Sequence, residues 1–280
     1  MVVSDKDGKR FRQWRFAVVS LLLFSILGTI GLATDYWQNG NDLFNRNPKT
    51  TQFYGLLNTS PLDNYIEVMA IGHNSGESAF TINRALDYGA DVIEIDVVQY
   101  NGRLIAAHDT PEGWRSRLSR TLSLDQAWQL ASNASMIQLD LKQWTPEFQD
   151  KLFTFLASHP TEKTVMVTTR DANTLALLEE RFPDVLRFLS IGDQFSLDYL
   201  VQEPQLNEML DGVTVRYTLL SEQSVQQLLN LELMVIAWTV NDLVRVNSLV
   251  EMGVTGITTD NLAILELIRR LGRVGEVVGG

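Results

Sequence analysis

Apolar runs of strand length alternate along this chain with stretches whose apolar residues recur at helical spacing. The alternation is sustained over about 200 residues, too regular for separate all-helical and all-strand parts. The pattern predicts strands over residues 66–73, 90–98, 103–108, 136–142, 164–169, 187–192, 211–217, 233–240 and 256–260. It predicts helices over residues 78–88, 124–132, 146–158, 172–181, 221–231, 242–252 and 262–271.

Local residues support the ends of these helices. Side chains able to cap a helix N-terminus stand at Ser78, Ser123, Thr145 and Ser221. Gly89 and Gly253 follow two helices where a left-handed C-cap favours glycine. About eight strand–helix units predict an α/β protein with a TIM-type (β/α)₈ barrel. An open doubly wound sheet is the alternative, but no G-x-G-x-x-G motif opens any unit.

The N-terminal part has a different pattern. Five basic residues fall within residues 1–15, and residues 16–34 (FAVVSLLLFSILGTIGLAT) carry no charge. A helix of this length matches the hydrocarbon thickness of a bilayer, and Trp14, Tyr36 and Trp37 suit its two interfaces. The pattern predicts one transmembrane helix, with a cleaved signal peptide and a buried core helix as the alternatives.

These features divide the chain into four predicted segments. They are a basic cytoplasmic N-terminus (1–15), a transmembrane anchor (16–34), a juxtamembrane linker rich in Asn, Thr, Pro and Gly (35–64) and a barrel domain (65–280). Because the basic residues precede the span, the barrel domain is expected outside the cytoplasm.

The amino-acid composition excludes several kinds of site and partner. The chain of 280 residues has no cysteine, which excludes a disulfide scaffold, thiolate zinc sites and a cysteine nucleophile. Its net charge of −11 argues against non-specific binding of nucleic acid. A phosphate-containing small substrate remains compatible with this charge, since a bound cation reverses the local field.

Two of the three histidines stand where barrel enzymes place their chemistry. His73 and His108 end predicted strands, whereas His159 follows a helix and is interpreted as a surface residue. Between them, Glu94 and Asp96 are two residues apart on one strand and therefore share a face. A hard divalent cation, Ca²⁺ or Mg²⁺, would remove the cost of burying this pair; an exposed edge strand is the alternative.

A second strand repeats the arrangement. Asp140 and Lys142 share one face, while Leu139 and Leu141 face the other way. The pair suggests a further carboxylate for the same cation beside an ammonium group for a substrate phosphate. A simple ion pair on the barrel rim is the alternative.

Taken in order, these motifs resemble the glycerophosphodiester phosphodiesterase family. The resemblance rests on IGHNSGESAF, GADVIEIDVV, LIAAHD, IQLDLK, VIAWTVND and GVTGITTDN, and it spans residues 66 to 271. It implies a TIM-type barrel that hydrolyses phosphodiesters with a divalent cation. It also implies a general acid–base pair at His73 and His108, metal ligands at Glu94, Asp96 and Asp140, and a phosphate-stabilising lysine at Lys142.

The resemblance further implies that Trp238 lines the substrate cavity. Two positions depart from the family pattern: Asn74 stands in place of the usual arginine, and Asp140 in place of the usual glutamate. Asn74 remains a candidate substrate-binding residue, and the loop residues Arg115, Arg117 and Arg120 are candidate substitutes for the missing guanidinium. A solvated loop is the alternative for these three.

The leading hypothesis is metal-dependent hydrolysis of a small glycerophosphodiester to sn-glycerol 3-phosphate and an alcohol. A second hypothesis moves the same chemistry to a lysophospholipid or sphingolipid, because spider-venom-type sphingomyelinases D also lack the arginine beside the first histidine. A third is a catalytically weak, envelope-binding module on the same barrel.

Overall fold

The computed structural model describes residues 68–111 and 121–278. Nine strands form one sheet: β1 (Met69–Gly72), β2 (Val92–Tyr100), β3 (Arg103–Ala106), β4 (Met136–Leu141), β5 (Thr164–Thr169), β6 (Leu186–Ile191), β7 (Gly212–Arg216), β8 (Met234–Trp238) and β9 (Gly256–Thr259). Eight of them run parallel, and β1 pairs with both β9 and β2, which closes the barrel. The protein is therefore a TIM-type (β/α)₈ barrel, as the alternation predicts.

Helices connect successive parallel strands. They are α1 (Ala79–Asp87), α2 (Leu124–Leu130), α3 (Pro146–Ser158), α4 (Ala172–Arg181), α5 (Gln194–Gln202), α6 (Pro204–Glu208), α7 (Glu222–Asn230), α8 (Leu243–Met252) and α9 (Leu262–Val278). The hydroxyls of Ser78, Ser123, Thr145 and Ser221 all accept N-cap hydrogen bonds, as predicted. α5 and α6 do not correspond to any helix predicted from the sequence.

The predicted strand over residues 103–108 forms but does not belong to the barrel wall. β3 runs antiparallel to β2, with Val97 opposite Ala106. The two residues between them, Asn101 and Gly102, both have positive φ (49° and 73°), which suits a tight hairpin turn. β3 therefore extends from β2 beyond the barrel and brings His108 back over its end.

The barrel interior changes from apolar to polar along its axis. Ile71, Val92, Met166, Phe188 and Ile236 fill the end at which the strands begin. Further along the same inward faces stand polar side chains, including Glu94, Gln138, Thr168 and Thr214. The polar end is the one where the carboxyl ends of the strands lie, and it is called the mouth below.

The N-terminal predictions fall outside this part of the chain. The predicted segments 1–15, 16–34 and 35–64 all precede the described residues. In the described ranges, no helix has both the length and the apolar character that crossing a membrane requires.

Candidate active site

A cavity of about 570 Å³ opens at the mouth. Seven of the side chains predicted from sequence line it or lie beneath it, on β2, β4 and β8 or just after β1, β3 and β4. His73, Glu94, His108, Asp140, Lys142 and Trp238 line the cavity, and Asp96 is fully buried beside Glu94. The structure thus brings together residues that are up to 165 positions apart in the sequence.

Three carboxylates form the floor of this site. Glu94, Asp96 and Asp140 each offer an oxygen within 4.8 Å of the other two. β2 lies between β1 and β4, so the exposed edge-strand alternative for Glu94 and Asp96 is wrong. Asp140 lies directly opposite Asp96 in the parallel pairing of β2 and β4, which explains how a second strand supplies the third carboxylate.

These carboxylates fit a hard divalent cation. Neither oxygen of Asp96 accepts a hydrogen bond although the residue is completely buried. A buried carboxylate without a positive partner costs several kcal/mol, of the order of 3–5. Lys142 Nζ lies 3.0 Å from Asp96 Oδ1, but Oδ2 still has no partner. Burial raises the pKa of Glu94 to about 8, and burial also raises the pKa of Asp140. A bound cation with oxygen ligands would offset both effects.

Lys142 supplies part of the missing positive charge. Its Nζ lies 2.6 Å from Asp140 Oδ2, to which it donates a hydrogen bond, and 3.0 Å from Asp96 Oδ1. The ion pair considered from the sequence is therefore present. Burial lowers the pKa of the Lys142 ammonium, but the charges of Asp140 and Asp96 outweigh that effect and raise it above its usual range. Lys142 is consequently a permanent cation at the cavity wall.

The two histidines have different surroundings. His73 Nδ1 lies 2.6 Å from Asp260 Oδ1, which leaves Nε2 as the nitrogen available to a ligand. Burial lowers the pKa of His73, but the hydrogen bond to Asp260 and the charges of Glu94, Asp260 and Asp96 together raise it to about 9. His108 is 54% exposed, and its Nδ1 lies 3.3 Å from Asp109.

Asn74 holds the first turn against β2 and keeps its side chain inside the protein. Its backbone has positive φ (48°), and its N–H donates to Glu94 Oε2 at 3.0 Å. Its Oδ1 is buried without a hydrogen-bond partner. The structure therefore shows Asn74 orienting Glu94, and its proposed contact with substrate stays a prediction. Arg115, Arg117 and Arg120 lie outside the described residues.

Sequence reasoning missed four residues of this site. Asp260, in the quoted GVTGITTDN motif, orients His73 and is itself held by Asn241, whose Nδ2 donates to Asp260 Oδ2 at 2.8 Å. Glu77 Oε1 accepts from the His108 backbone N–H at 3.0 Å and so fixes the loop after β3. Arg170, at the end of β5, lines the cavity. Asp260 and Arg170 directly follow barrel strands, which is the signal that could have identified them.

Comparison with solved structures shows the same fold. A phosphodiesterase of Oleispira antarctica, solved in complex with the product sn-glycerol-3-phosphate, is 17% identical with a TM-score of 0.60, covering 71% of this chain and 96% of that one. The glycerophosphodiester phosphodiesterase of Thermotoga maritima is 18% identical with a TM-score of 0.60, and the match covers 74% of this chain and 100% of that one. A glycerophosphoryl diester phosphodiesterase of Silicibacter pomeroyi is 17% identical with a TM-score of 0.61, and the match covers 72% of this chain and 92% of that one.

Comparison with known sequences identifies one family, over part of the chain. No curated protein gives a significant match. Residues 127–264 match the model of the glycerophosphoryl diester phosphodiesterase family, a segment that includes Asp140, Lys142, Trp238 and Asp260. His73, Glu94, Asp96 and His108 precede the matched segment, and the barrel geometry joins them to it. The matched segment therefore bears out the resemblance to the glycerophosphoryl diester phosphodiesterase family that the ordered sequence motifs predict.

Proposed function

We propose that the protein hydrolyses a glycerophosphodiester to sn-glycerol 3-phosphate and an alcohol. The observation that carries this proposal is the convergence on one cavity of two histidines, a lysine and three clustered carboxylates. This set supplies proton transfer, a cation for the phosphate and a site for a divalent ion, which together are what phosphodiester hydrolysis requires.

The proton transfers are assigned to the histidines. One imidazole takes the proton from the attacking oxygen, either water or the glycerol 2-hydroxyl, and the other donates a proton to the leaving alkoxide. Because Asp260 stabilises the protonated form of His73, we assign His73 as the acid and His108 as the base. If the 2-hydroxyl attacks, a cyclic phosphate forms first and water opens it with the two roles reversed.

The second requirement is a positive charge that stabilises the negative phosphate oxygens during the reaction. We propose that Glu94, Asp96 and Asp140 hold a divalent cation, Ca²⁺ or Mg²⁺, whose positive charge would stabilise the phosphate oxygens. Lys142 offers its ammonium at the same wall of the cavity and is permanently charged. Trp238 lines the same cavity, and we propose that its ring packs against the substrate.

The decisive assay measures release of glycerol 3-phosphate from glycerophosphocholine and glycerophosphoethanolamine by the full chain. Ca²⁺, Mg²⁺ and a chelator are compared, with His73→Ala as the blank. We expect chelator-sensitive release that is lost in His73→Ala and in Glu94→Gln, both with unchanged circular dichroism. Full activity in folded Glu94→Gln would refute the cation site, and no release from the wild type would refute the function.

A lipid phosphodiester is the second candidate substrate, favoured by apolar side chains exposed at the mouth. Phe195 (80% exposed) and Val244 (71%) stand in the first turns of α5 and α8, and Trp144 (47%) lies between β4 and α3 and lines the cavity. Helices that follow barrel strands begin at the mouth, so all three side chains lie on that face. Exposed aromatic and apolar groups around a site are typical of contact with lipid.

If the substrate is a lipid, exposed side chains at the mouth should affect activity on vesicles but not activity on a soluble diester. With lysophosphatidylethanolamine in vesicles, Phe195→Ser should lower activity at least about threefold, since one exposed aromatic contributes about 1 kcal/mol or more at an interface. The same variant should leave hydrolysis of glycerophosphoethanolamine unchanged. Absence of any activity on vesicles would leave the soluble diester as the substrate.

We also propose that residues 16–34 anchor the chain and that the barrel lies outside the cytoplasm. The support is the uncharged segment preceded by basic residues. Protease added to intact cells expressing the full chain should degrade the barrel while leaving a cytoplasmic marker intact. Protection of the barrel until the cells are lysed would refute this orientation.

A further inference from the structure

The half of the mouth opposite His73, Glu94 and Asp96 carries two arginines. Arg170 follows β5 and Arg216 ends β7, each two residues beyond a threonine, Thr168 or Thr214, that lines the cavity. Because side chains of a strand alternate between its faces, this spacing directs both arginine positions toward the barrel axis. Arg170 itself lines the cavity.

The two guanidinium groups approach each other above Gly192, which follows the intervening strand β6. A Cβ atom added to Gly192 would lie 3.5 Å from Arg170 Nη2 and 3.8 Å from Arg216 Nη2. The two Nη2 nitrogens are therefore at most about 7 Å apart. Since glycine has no side chain, the space between the two cations is left open.

Neither arginine forms a close ion pair in the described part of the chain. The ion pairs within residues 68–111 and 121–278 include none formed by Arg170 or Arg216. The nearby Asp193 carboxylate feels the charge of Arg170, but its hydrogen bonds cap α5, accepting from the N–H and the hydroxyl of Ser196. By contrast Arg187, away from the cavity, is paired with Asp211 at 3.1 Å.

Two unpaired guanidinium groups held this close repel each other, and an anion bound between them would remove that repulsion. The ring of Trp238 supports the arrangement, because the Arg216 guanidinium carbon lies 5.5 Å from its centroid. The pair stands over β5 to β7, whereas the carboxylates, Lys142 and His73 stand over β1, β2 and β4. It is thus placed for a different group of the substrate from the reacting phosphate.

We propose that Arg170 and Arg216 form a second anion subsite, which selects phosphodiesters carrying a carboxylate or phosphate on one of their two alcohols. This inference rests on the proposed phosphodiesterase function and narrows its substrate class. It assigns the arginines to substrate binding at a distance from the phosphorus.

The test compares two substrates that differ by one carboxylate, glycerophosphoserine and glycerophosphoethanolamine, with the full chain. We expect wild-type kcat/KM to favour the serine ester by about tenfold or more, the size of a charge-assisted contact. Arg170→Gln and Arg216→Gln should each reduce this ratio toward one. Arg181→Gln is the matched control, because Arg181 ends α4, on the face away from the mouth, and should keep the wild-type ratio.

The same comparison with glycerophosphoglycerol and its terminal phosphate monoester shows whether a phosphate is preferred to a carboxylate. Equal wild-type kcat/KM within both substrate pairs would overturn the proposal. A loss of the same size on charged and uncharged substrates in Arg170→Gln would also overturn it, since the arginine would then hold the reacting phosphate in place of the family arginine missing at Asn74.

Binding separates failure of this inference from failure of the proposed function. In the full chain carrying His108→Ala, calorimetric titration with each of the four compounds measures affinity without turnover. Tighter binding of the charged member of a pair, lost on adding Arg170→Gln, supports the subsite even if the wild type hydrolyses none of them. Equal affinities within both pairs, or a preference that Arg170→Gln leaves intact, contradict it.

Discussion

His73 and Asp260 lie 187 residues apart in the sequence, yet their Nδ1 and Oδ1 atoms are 2.6 Å apart. β1 and β9 are neighbours where the barrel closes, and each residue directly follows its strand. Asn241, after β8, fixes the other Asp260 oxygen. The first and last strands therefore jointly set the orientation and charge of one imidazole.

Asp260→Asn should lower the pKa of His73. Burial of the ring lowers the pKa of His73, and Asp260 is among the groups that raise it to about 9. Without the Asp260 charge, the effect of burial is less well opposed and the pKa falls. In the proposed role of acid, His73 is active only when protonated, so activity should fall as the pH rises through its pKa. The alkaline limb of the kcat/KM profile should therefore move to lower pH by about one unit or more.

Titration of the His73 ring by NMR measures the same shift directly. Asn241→Ala is the milder companion variant, because it removes a neighbour of Asp260 and keeps the carboxylate. An alkaline limb that stays in place in Asp260→Asn would exclude His73 as the group responsible for it.

The acid and base roles can be separated by changing the leaving group. p-Nitrophenolate leaves without protonation, so the general acid becomes dispensable with a glycerophosphoryl p-nitrophenyl ester. His73→Ala should then recover activity by about 100-fold or more relative to its activity on glycerophosphoethanolamine, whereas His108→Ala should remain inactive. Stopped assays of both variants on both esters test the assignment, and recovery confined to His108→Ala would reverse it.

Cation binding should release protons. Burial raises the pKa of Glu94 to about 8, so without a cation this carboxyl is largely protonated near neutral pH, and burial shifts the pKa of Asp140 in the same direction. Binding of a divalent cation favours their charged forms, and the cation affinity should therefore increase as the pH rises from 6 to 8. Calorimetry of Ca²⁺ or Mg²⁺ binding in buffers of different ionisation enthalpy counts the released protons.

Two variants make that measurement specific. Glu94→Gln should abolish most of the proton release along with the tight binding, and Asp125→Asn, on the exposed side of α2, should change neither. Affinity that is independent of pH in the wild type would show that the raised pKa values do not control the site.

The sequence allowed the barrel and most of the side chains gathered at its candidate site to be predicted, because both follow from local patterns. Glu94 and Asp96 share a face by strand alternation alone, and the caps of α1 and α3 depend on neighbours three residues away. What escaped prediction depends on closure of the sheet. The pairing of His73 with Asp260 and the approach of Arg170 to Arg216 join residues from different strands, and their separations in sequence carry no signal of contact. α5 escaped for another reason, since exposed Phe195 and Tyr199 obscure its amphipathic pattern.

Gly76 is the residue through which packing should control the chemistry. A Cβ atom there would lie 2.5 Å from Ile95 Cγ1 and 2.8 Å from the Glu94 carbonyl oxygen, so only glycine lets the turn over Ser75–Glu77 lie directly on β2. The flanking residues use that contact: Asn74 N–H donates to Glu94, and Glu77 accepts from the N–H of His108.

Gly76→Ala should therefore lower the free energy of unfolding by about 1–3 kcal/mol, as overpacking does, and also lower kcat/KM because both site contacts move. Gly102→Ala is the matched control. Gly102 has positive φ, so alanine there costs about 1 kcal/mol, but no atom lies within 4 Å of the added carbon. Urea unfolding and kcat/KM measured together separate the two cases: both variants lose stability, and only Gly76→Ala should lose activity well below its unfolding midpoint. Equal kcat/KM in the two variants would mean that the turn does not position Glu94 or His108.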